Sequence, residues 1–277
     1  MNKDINILII AVLILTSSFK SFSQNITEEN YLKLDKEIWD FQNQEFSKIS
    51  KAFELNPEKK DSLIIEGDKI AKICDDKNVE LAIKFASVPS GLQRVFMLRL
   101  NIPKDTLKSI YKMLPENMQK SAYGKSIRLH IDSKQMEKGD NIVDFHAIDY
   151  NGNPFKISSL NGKNTLLLYG GLKCLREDGR KLLENYYKSL NSEKFKIVLF
   201  DNESSNIEDL KIKREKYGLD FILVSDFIGD HSPMKIIYGA QTTPTYFFIN
   251  EKGEIILRTD EFFTAEKELE SLKLKIN

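Results

Sequence analysis

An α/β sandwich preceded by an all-helical domain is the fold class this chain predicts, and two features of its patterning predict it. From about Thr27 to Met136, apolar residues recur at helical intervals and prolines punctuate the run. After "EKGDN" the pattern changes to short apolar runs, turn residues and amphipathic stretches, as expected for strands alternating with helices. A length of 277 residues is enough for two modest domains, each with its own core. The boundaries read from the patterning are 1–23, 24–136 and 137–277.

The first segment reads as a removed secretory signal. Lys3 precedes an apolar run from Ile7 to Leu15, and Ser21 and Ser23 stand at the −3 and −1 positions of a cut before Gln24. Asp4 offsets Lys3, and the apolar run is too short for a permanent membrane span. Export to a periplasmic or secreted location follows, with no stable span left after processing.

In the helical segment, Leu34, Ile38, Trp39, Phe41 and Phe46 recur at mostly helical spacing before "LNPEKKD" interrupts. Asp61 is placed to cap a second helix running through Cys74, with Leu63, Ile70, Ile73 and Cys74 along one side. The segments "NVELAIKFAS", "GLQRVFMLRL", "KDTLKSIYKML" and "PENMQKSAYGKSIRLHID" follow, divided by Pro89, Pro103 and Pro115. No catalytic motif is visible there, which leaves a scaffold or a domain that docks a partner.

In the last segment, strand-like Ile142–Ile148 and Phe155–Ile157 flank Asn151-Gly152, the signature of a β-hairpin. "NTLLLYGG" and "KFKIVLFD" are continuous apolar runs, the mark of strands buried on both faces. Between them "LREDGRKLLENYYKSL" is an amphipathic helix with Leu182, Leu183, Tyr186 and Leu190 inward. A polar helix ending at Gly218, the strand "FILVSD", the hairpin "TYFFIN-EKG-EIILRT" and the helix "TAEKELESLKLKI" complete the order.

Equal numbers of basic and acidic residues, 41 each, give no electrostatic case for nucleic acid or an anionic membrane surface. Two cysteines, Cys74 and Cys174, do not make a disulfide framework, and the three histidines lack metal-ligand spacing to either. No metal and no organic cofactor is expected.

Cys174 opens a charged stretch directly after a buried strand and two glycines, in "LLLYGGLKCLREDGRK". With "GDNIVDFHAIDYNGNPFKISSLNGKNTLLLYGG" upstream and "YGAQTTPTYFFINEKGEII" downstream, residues from about 139 to 277 resemble the TlpA-like, AhpC/TSA-related thiol–disulfide oxidoreductases. Residues from about 80 to 138 resemble the segment preceding those domains more loosely. The resemblance implies a thioredoxin-like fold with an N-terminal hairpin extension. It also implies a cis bond at Thr243-Pro244, with Pro244 facing the reactive cysteine, and partners that are protein or small-molecule thiols and disulfides.

Matching the site to the family places Cys174 on the nucleophilic cysteine, Leu175 and Arg176 on the intervening positions, and Glu177 on the resolving cysteine. Gly170 and Lys173 stand where tryptophans are common, and Leu168 stands where thioredoxins often bury an acid. A thiol at a helix N-terminus meets free amides that favour thiolate, and Lys173 and Arg176 add positive charge nearby. Glu177 and Asp178 oppose that effect.

Without a resolving thiol, a mixed disulfide at Cys174 needs an outside thiol to discharge it. Cys74, at helical spacing from Leu63, Ile70 and Ile73, reads as a buried, inert thiol. Two readings stay open: exchange through a single cysteine in a CxxE site, and a catalytically silent binding module. A peroxiredoxin-like peroxidase is a third, disfavoured because Gly171 and Leu167 occupy the positions of that family's Thr/Ser and Pro. His146 on the hairpin, and His231 and Pro233 in the connection before "MKIIYGA", read as structural.

Overall fold

The computed structural model describes residues 25–190, 193–218 and 220–276, so the predicted signal segment 1–23 lies outside the described residues. The chain divides into two compact units, Met1–Ile127 and Arg128–Asn277. The division falls inside a helix, upstream of the 136/137 boundary read from patterning. Periodicity marks where the helix stops, whereas packing assigns its last turn to the second unit.

The first unit is helical. Its elements are α1 (Glu28–Leu55), α2 (Lys60–Lys84), α3 (Pro89–Met97), α4 (Lys104–Met113), the short α5 (Glu116–Gln119), and α6 (Ala122–Asp132), which crosses the division. Thr27 caps α1, its hydroxyl accepting from the Asn30 amide at 3.2 Å. Prolines start helices here: Pro89 sits in the first turn of α3, and Pro103 and Pro115 are the N-caps of α4 and α5. Tyr31, Leu34 and Ile38 of α1 pack with Ile70, Cys74, Leu81 and Phe85 into one core cluster.

Two expectations for this unit change. Asp61 is not a cap, because α2 begins at Lys60 and Asp61 lies in its first turn; the helix also continues through the segment read as separate, to Lys84. Trp39 and Phe46 are 41% and 39% exposed, because α1 buries a single seam through Tyr31, Leu34 and Ile38. The Arg94 guanidinium lies 5.7 Å from the Trp39 ring and covers part of it.

The second unit is built on a sheet whose strands are β1 (Ala147–Asp149), β2 (Pro154–Phe155), β3 (Asn164–Tyr169), β4 (Phe195–Phe200), β5 (Ile222–Ser225), β6 (Thr245–Ile249) and β7 (Ile255–Thr259). Among the described residues their order is β2-β1-β5-β4-β3-β6-β7. The β3–β4 and β4–β5 pairs are parallel, and the crossovers run through α7 (Arg176–Ser189) and α8 (Ile207–Tyr217). The β3–β6 and β6–β7 pairs are antiparallel. The short α9 (Pro233–Ile236) precedes β6, and α10 (Phe262–Ile276) closes the chain.

Alternation along the central strands produces two apolar layers. Leu166, Leu168, Tyr246 and Phe248 face one way and pack with Leu183 of α7, Leu210 of α8 and Leu269 of α10. Leu167, Tyr169, Phe247 and Ile249 face the other way and pack with Met234 and Tyr238. The result is a thioredoxin-like α/β sandwich. Of the residues expected inward on α7, Leu183, Tyr186 and Leu190 are buried and Leu182 is half-buried.

The N-terminal hairpin is present but shorter than its alternation suggests. Strand pairing is limited to Ala147–Phe155 and Ile148–Pro154, and Ile157 begins a 3-10 turn. Upstream, the backbone groups find other partners. The Ile142 amide donates to the Gly253 carbonyl, while Val143 exchanges hydrogen bonds with the Tyr238 hydroxyl at 3.1 and 2.8 Å. A side-chain hydroxyl thus replaces a strand neighbour. The hairpin turn is held by Asp149, whose Oδ1 accepts from the Asn151 and Asn153 amides at 2.9 Å each.

Candidate functional site

The site forms where β3 leaves the sheet. The Gly170 amide still donates to the Phe200 carbonyl at 2.7 Å, so the ladder to β4 runs one residue past Tyr169. Gly170 and Gly171 then take φ values of +60° and +86°, turning the chain sharply. A Cβ on Gly171 would lie 2.7 Å from Pro244 Cβ and 3.0 Å from its Cα. The glycine pair therefore lets the strand end lie flat against the segment that starts β6. The Thr243–Pro244 peptide bond is cis. Thr243 is exposed and Pro244 half-buried, so this edge is open to a partner.

Residues 172–175 form the next turn. Leu172 and Leu175 are 4% and 8% exposed and anchor it in the core layer under α7. That anchoring turns Lys173 and Cys174, which lie between them, outward, and both are exposed. Arg180 Nη1 donates to the Leu172 carbonyl at 2.7 Å and ties the turn to the helix.

Cys174 does not occupy the first turn of α7. The helix starts at Arg176, which has a φ of +50°, so the break is in the backbone itself and not in how a boundary is drawn. The Leu175 amide is spent on the Gly171 carbonyl at 2.8 Å and the Arg176 amide on Lys173 at 3.4 Å. The Leu175 and Arg176 amides are thus already bonded, unlike those of an open helix end.

The flanking charges are also engaged elsewhere. Lys173 pairs with Glu203 at 2.9 Å, which holds its ammonium above the ordinary lysine range. Glu177, in the place of the second thiol, pairs with Lys181 one turn on at 2.6 Å, and this pairing holds its carboxyl below the usual range. Arg176 is exposed. Cys74 is 0% exposed, and burial pushes its thiol up, away from the nucleophilic thiolate.

The loop after β4 backs the site. Asp201 Oδ2 accepts from the Ser204 amide at 2.8 Å, and both its oxygens bind Lys213 Nζ of α8 at 2.9 and 2.8 Å. Asn202 reaches Gly170: a Cβ there would meet its Oδ1 at 2.4 Å. Glu203 reaches Lys173 and lies 3.5 Å from Lys213. Sequence reading gave these loop residues no role, since the signal is spatial: residues 201–203 meet 170–173 only through parallel pairing of β3 with β4.

Beyond this cluster, His146 is exposed, while His231 ends a 3-10 turn that leads to Pro233 in the first turn of α9. Asp226, at the end of β5, is 8% exposed. Burial pushes its carboxyl above the ordinary range, against the Ser232 hydroxyl first and then the Ile228 amide at 3.2 Å, which pull it down. A raised folded-state value means that stability is greatest below the unfolded value of about 3.9 and declines as pH rises through the folded one. Asp226→Asn is therefore expected to match the parent in urea unfolding at strongly acidic pH and to exceed it increasingly toward neutrality. A difference that stays constant with pH would contradict this. Among the described residues, no group of acidic, histidine or cysteine side chains is arranged to hold a metal ion.

No family model and no curated protein matches the chain. Solved structures do resemble it. A thiol-disulfide oxidoreductase from Bacteroides fragilis NCTC 9343 matches 48% of this chain and 99% of its own, with 20% identity and a TM-score of 0.42. The thioredoxin domain of a thiol-disulfide oxidoreductase from Bacteroides vulgatus matches 52% and 100%, with 16% identity and a TM-score of 0.45. A thiol peroxidase from Chromobacterium violaceum matches 52% and 91%, with 18% identity and a TM-score of 0.40. These are likenesses of fold.

Proposed function

We propose that the C-terminal domain carries out thiol–disulfide exchange through Cys174. The observation that carries this reading is an exposed thiol, held outward by two buried leucines, on the turn that follows the Gly171–Pro244 contact. The Cys174 thiolate attacks one sulfur of a substrate disulfide and expels the other as a thiolate. The substrate's first sulfur is then bonded to Cys174. With Glu177 in place of a second thiol, an outside thiol attacks that substrate sulfur, takes it up as a new disulfide and returns Cys174 as thiolate. Pro244 and Thr243 shape the approach of the partner. The reaction is placed in an exported protein whose residues 1–23 have been removed, and the helical unit docks the partner.

Non-covalent binding is the competing reading, favoured by the burial of Cys74 and by the Glu177–Lys181 pair. The test is incubation with a mixed aromatic disulfide, followed by peptide-resolved mass spectrometry. Exchange requires an adduct on Cys174 that an added thiol releases and that Cys174→Ser abolishes. If no adduct forms, and the parent and the serine variant retain the same partners equally, the binding reading replaces it. Among the described residues, no helix is long and apolar enough to cross a membrane.

A further inference from the structure

Of the three loop residues that back the site, two are committed. Asp201 holds Lys213 and the Ser204 amide, and Glu203 holds Lys173. Asn202 lies between them, half-buried, and its Oδ1 is buried without a hydrogen-bond donor. The turn does not account for the residue, because Asp201 closes it by accepting the Ser204 amide. A buried acceptor left without a partner calls for an explanation.

The surroundings supply one. Tyr169 of β3 pairs with Phe200 of β4 and Thr245 of β6, so Asn202, Gly170 and Thr243 leave the sheet at the same end. A Cβ on Gly170 would collide with Asn202 Oδ1 and stand 2.7 Å from Thr243 Cγ2. These two side chains thus come together in the space the glycine leaves. Thr243 is exposed and precedes the cis bond to Pro244, on the edge left open to a partner. A chain segment seated on that edge passes beside the Asn202 carboxamide.

The geometry points to Asn202 as a specificity-determining residue, its carboxamide hydrogen-bonding the main chain of a disulfide-bearing peptide or protein seated against Thr243-Pro244. This rests on the reading of the domain as an exchange protein. The side-chain amide is neutral and offers both a donor and an acceptor, the complement of a peptide unit. The last side-chain torsion of asparagine is soft, and the buried oxygen has no internal hydrogen bond to give up. Turning it outward to accept a backbone N–H breaks nothing, and the bond it makes satisfies the unpaired acceptor. Asn202 takes no part in the sulfur chemistry.

The test compares two disulfides on the full chain. One is a terminally blocked peptide whose cysteine is joined to an aromatic thiol; the other joins the same aromatic thiol to a small alkyl thiol without amide groups. Adduct formation at Cys174 is followed by peptide-resolved mass spectrometry. The ratio of the two rate constants is read, so that a general disturbance of the turn cancels. Asn202→Leu, which keeps the shape and removes the amide, is expected to lower the peptide-to-alkyl ratio roughly fivefold, the worth of one hydrogen bond. Should the leucine variant fail to fold, Asn202→Ala is expected to lower the ratio equally. A ratio that stays at the parent's value, with both rates held or both reduced together, overturns the role of Asn202. If the parent forms no adduct with either disulfide, exchange is lost, and the peptide's affinity for Cys174→Ser and for Cys174→Ser/Asn202→Leu decides the contact. Weaker binding by the double variant keeps it; equal binding, or none, overturns it.

Discussion

Lys213→Met is expected to destabilise the C-terminal unit by about 3 kcal/mol, because it strands a buried carboxylate. The Asp201 side chain is 4% exposed and Lys213 18% exposed, with 2.8 Å between them. Remove the ammonium, and among the described residues Asp201 keeps the Ser204 amide as the one close donor to its side chain. The loop that carries Asn202 and Glu203 to Gly170 and Lys173 is anchored by this pair, so the loss extends to the site. The double variant Asp201→Asn/Lys213→Met is expected to recover most of the loss, since neither charge is then left alone.

The measurement must report on the second unit. The sole tryptophan is Trp39, in the helical unit, so its fluorescence is the wrong probe. Amide exchange across β4, at Ile197–Leu199, reads the core next to the pair. A single variant costing less than about 1 kcal/mol, or a double variant no better than the single, contradicts the assignment.

Much of this sheet was legible because its strands are buried on both faces. Runs such as "NTLLLY" and "KFKIVLF" have no polar alternation to misread, and they became β3 and β4. Legibility failed where one residue type serves two purposes. The alternation in Ile142–Ile148 looked like a strand, but a side chain remote in sequence, Tyr238, took up its backbone groups. Trp39 and Phe46 fit the helical period of α1 yet lie outside its single packed seam. Periodicity says which residues share a face, and only packing says which face is covered.

For the site, the sequence reading puts Cys174 between a strand and a helix that begins at Leu175, and the structure has β3 ending at Tyr169 and α7 capped by Leu175. A charged stretch after a glycine pair suggests an immediate helix start, whereas Arg176 at positive φ separates the cysteine turn from α7. That departure cannot be read from arginine, a residue that seldom adopts such a conformation.

Gly171→Ala tests the central contact of the site and is expected to have the other large effect. At φ +86° an alanine is strained before any contact is counted, and its Cβ would stand 2.7, 3.0 and 3.1 Å from Pro244 Cβ, Cα and N. Proline cannot swing aside by rotating a side chain, so the backbones of β6 and the cysteine turn must separate. Strain and displacement together are expected to cost about 3 kcal/mol and to remove adduct formation at Cys174. Gly170→Ala is the informative contrast. Its φ of +60° lies in the left-handed region, and its Cβ would meet Asn202 Oδ1 at 2.4 Å and Thr243 Cγ2 at 2.7 Å, the ends of rotatable side chains. That variant is expected to lose only about 1 kcal/mol and to keep the thiol reactive. Urea unfolding followed by β4 amide exchange, with adduct formation measured on the same samples, separates the two. Equal losses for the two alanines would mean that backbone conformation alone sets the requirement for glycine. A larger loss at position 171 makes the fit of the turn against Pro244 the constraint that shapes this site.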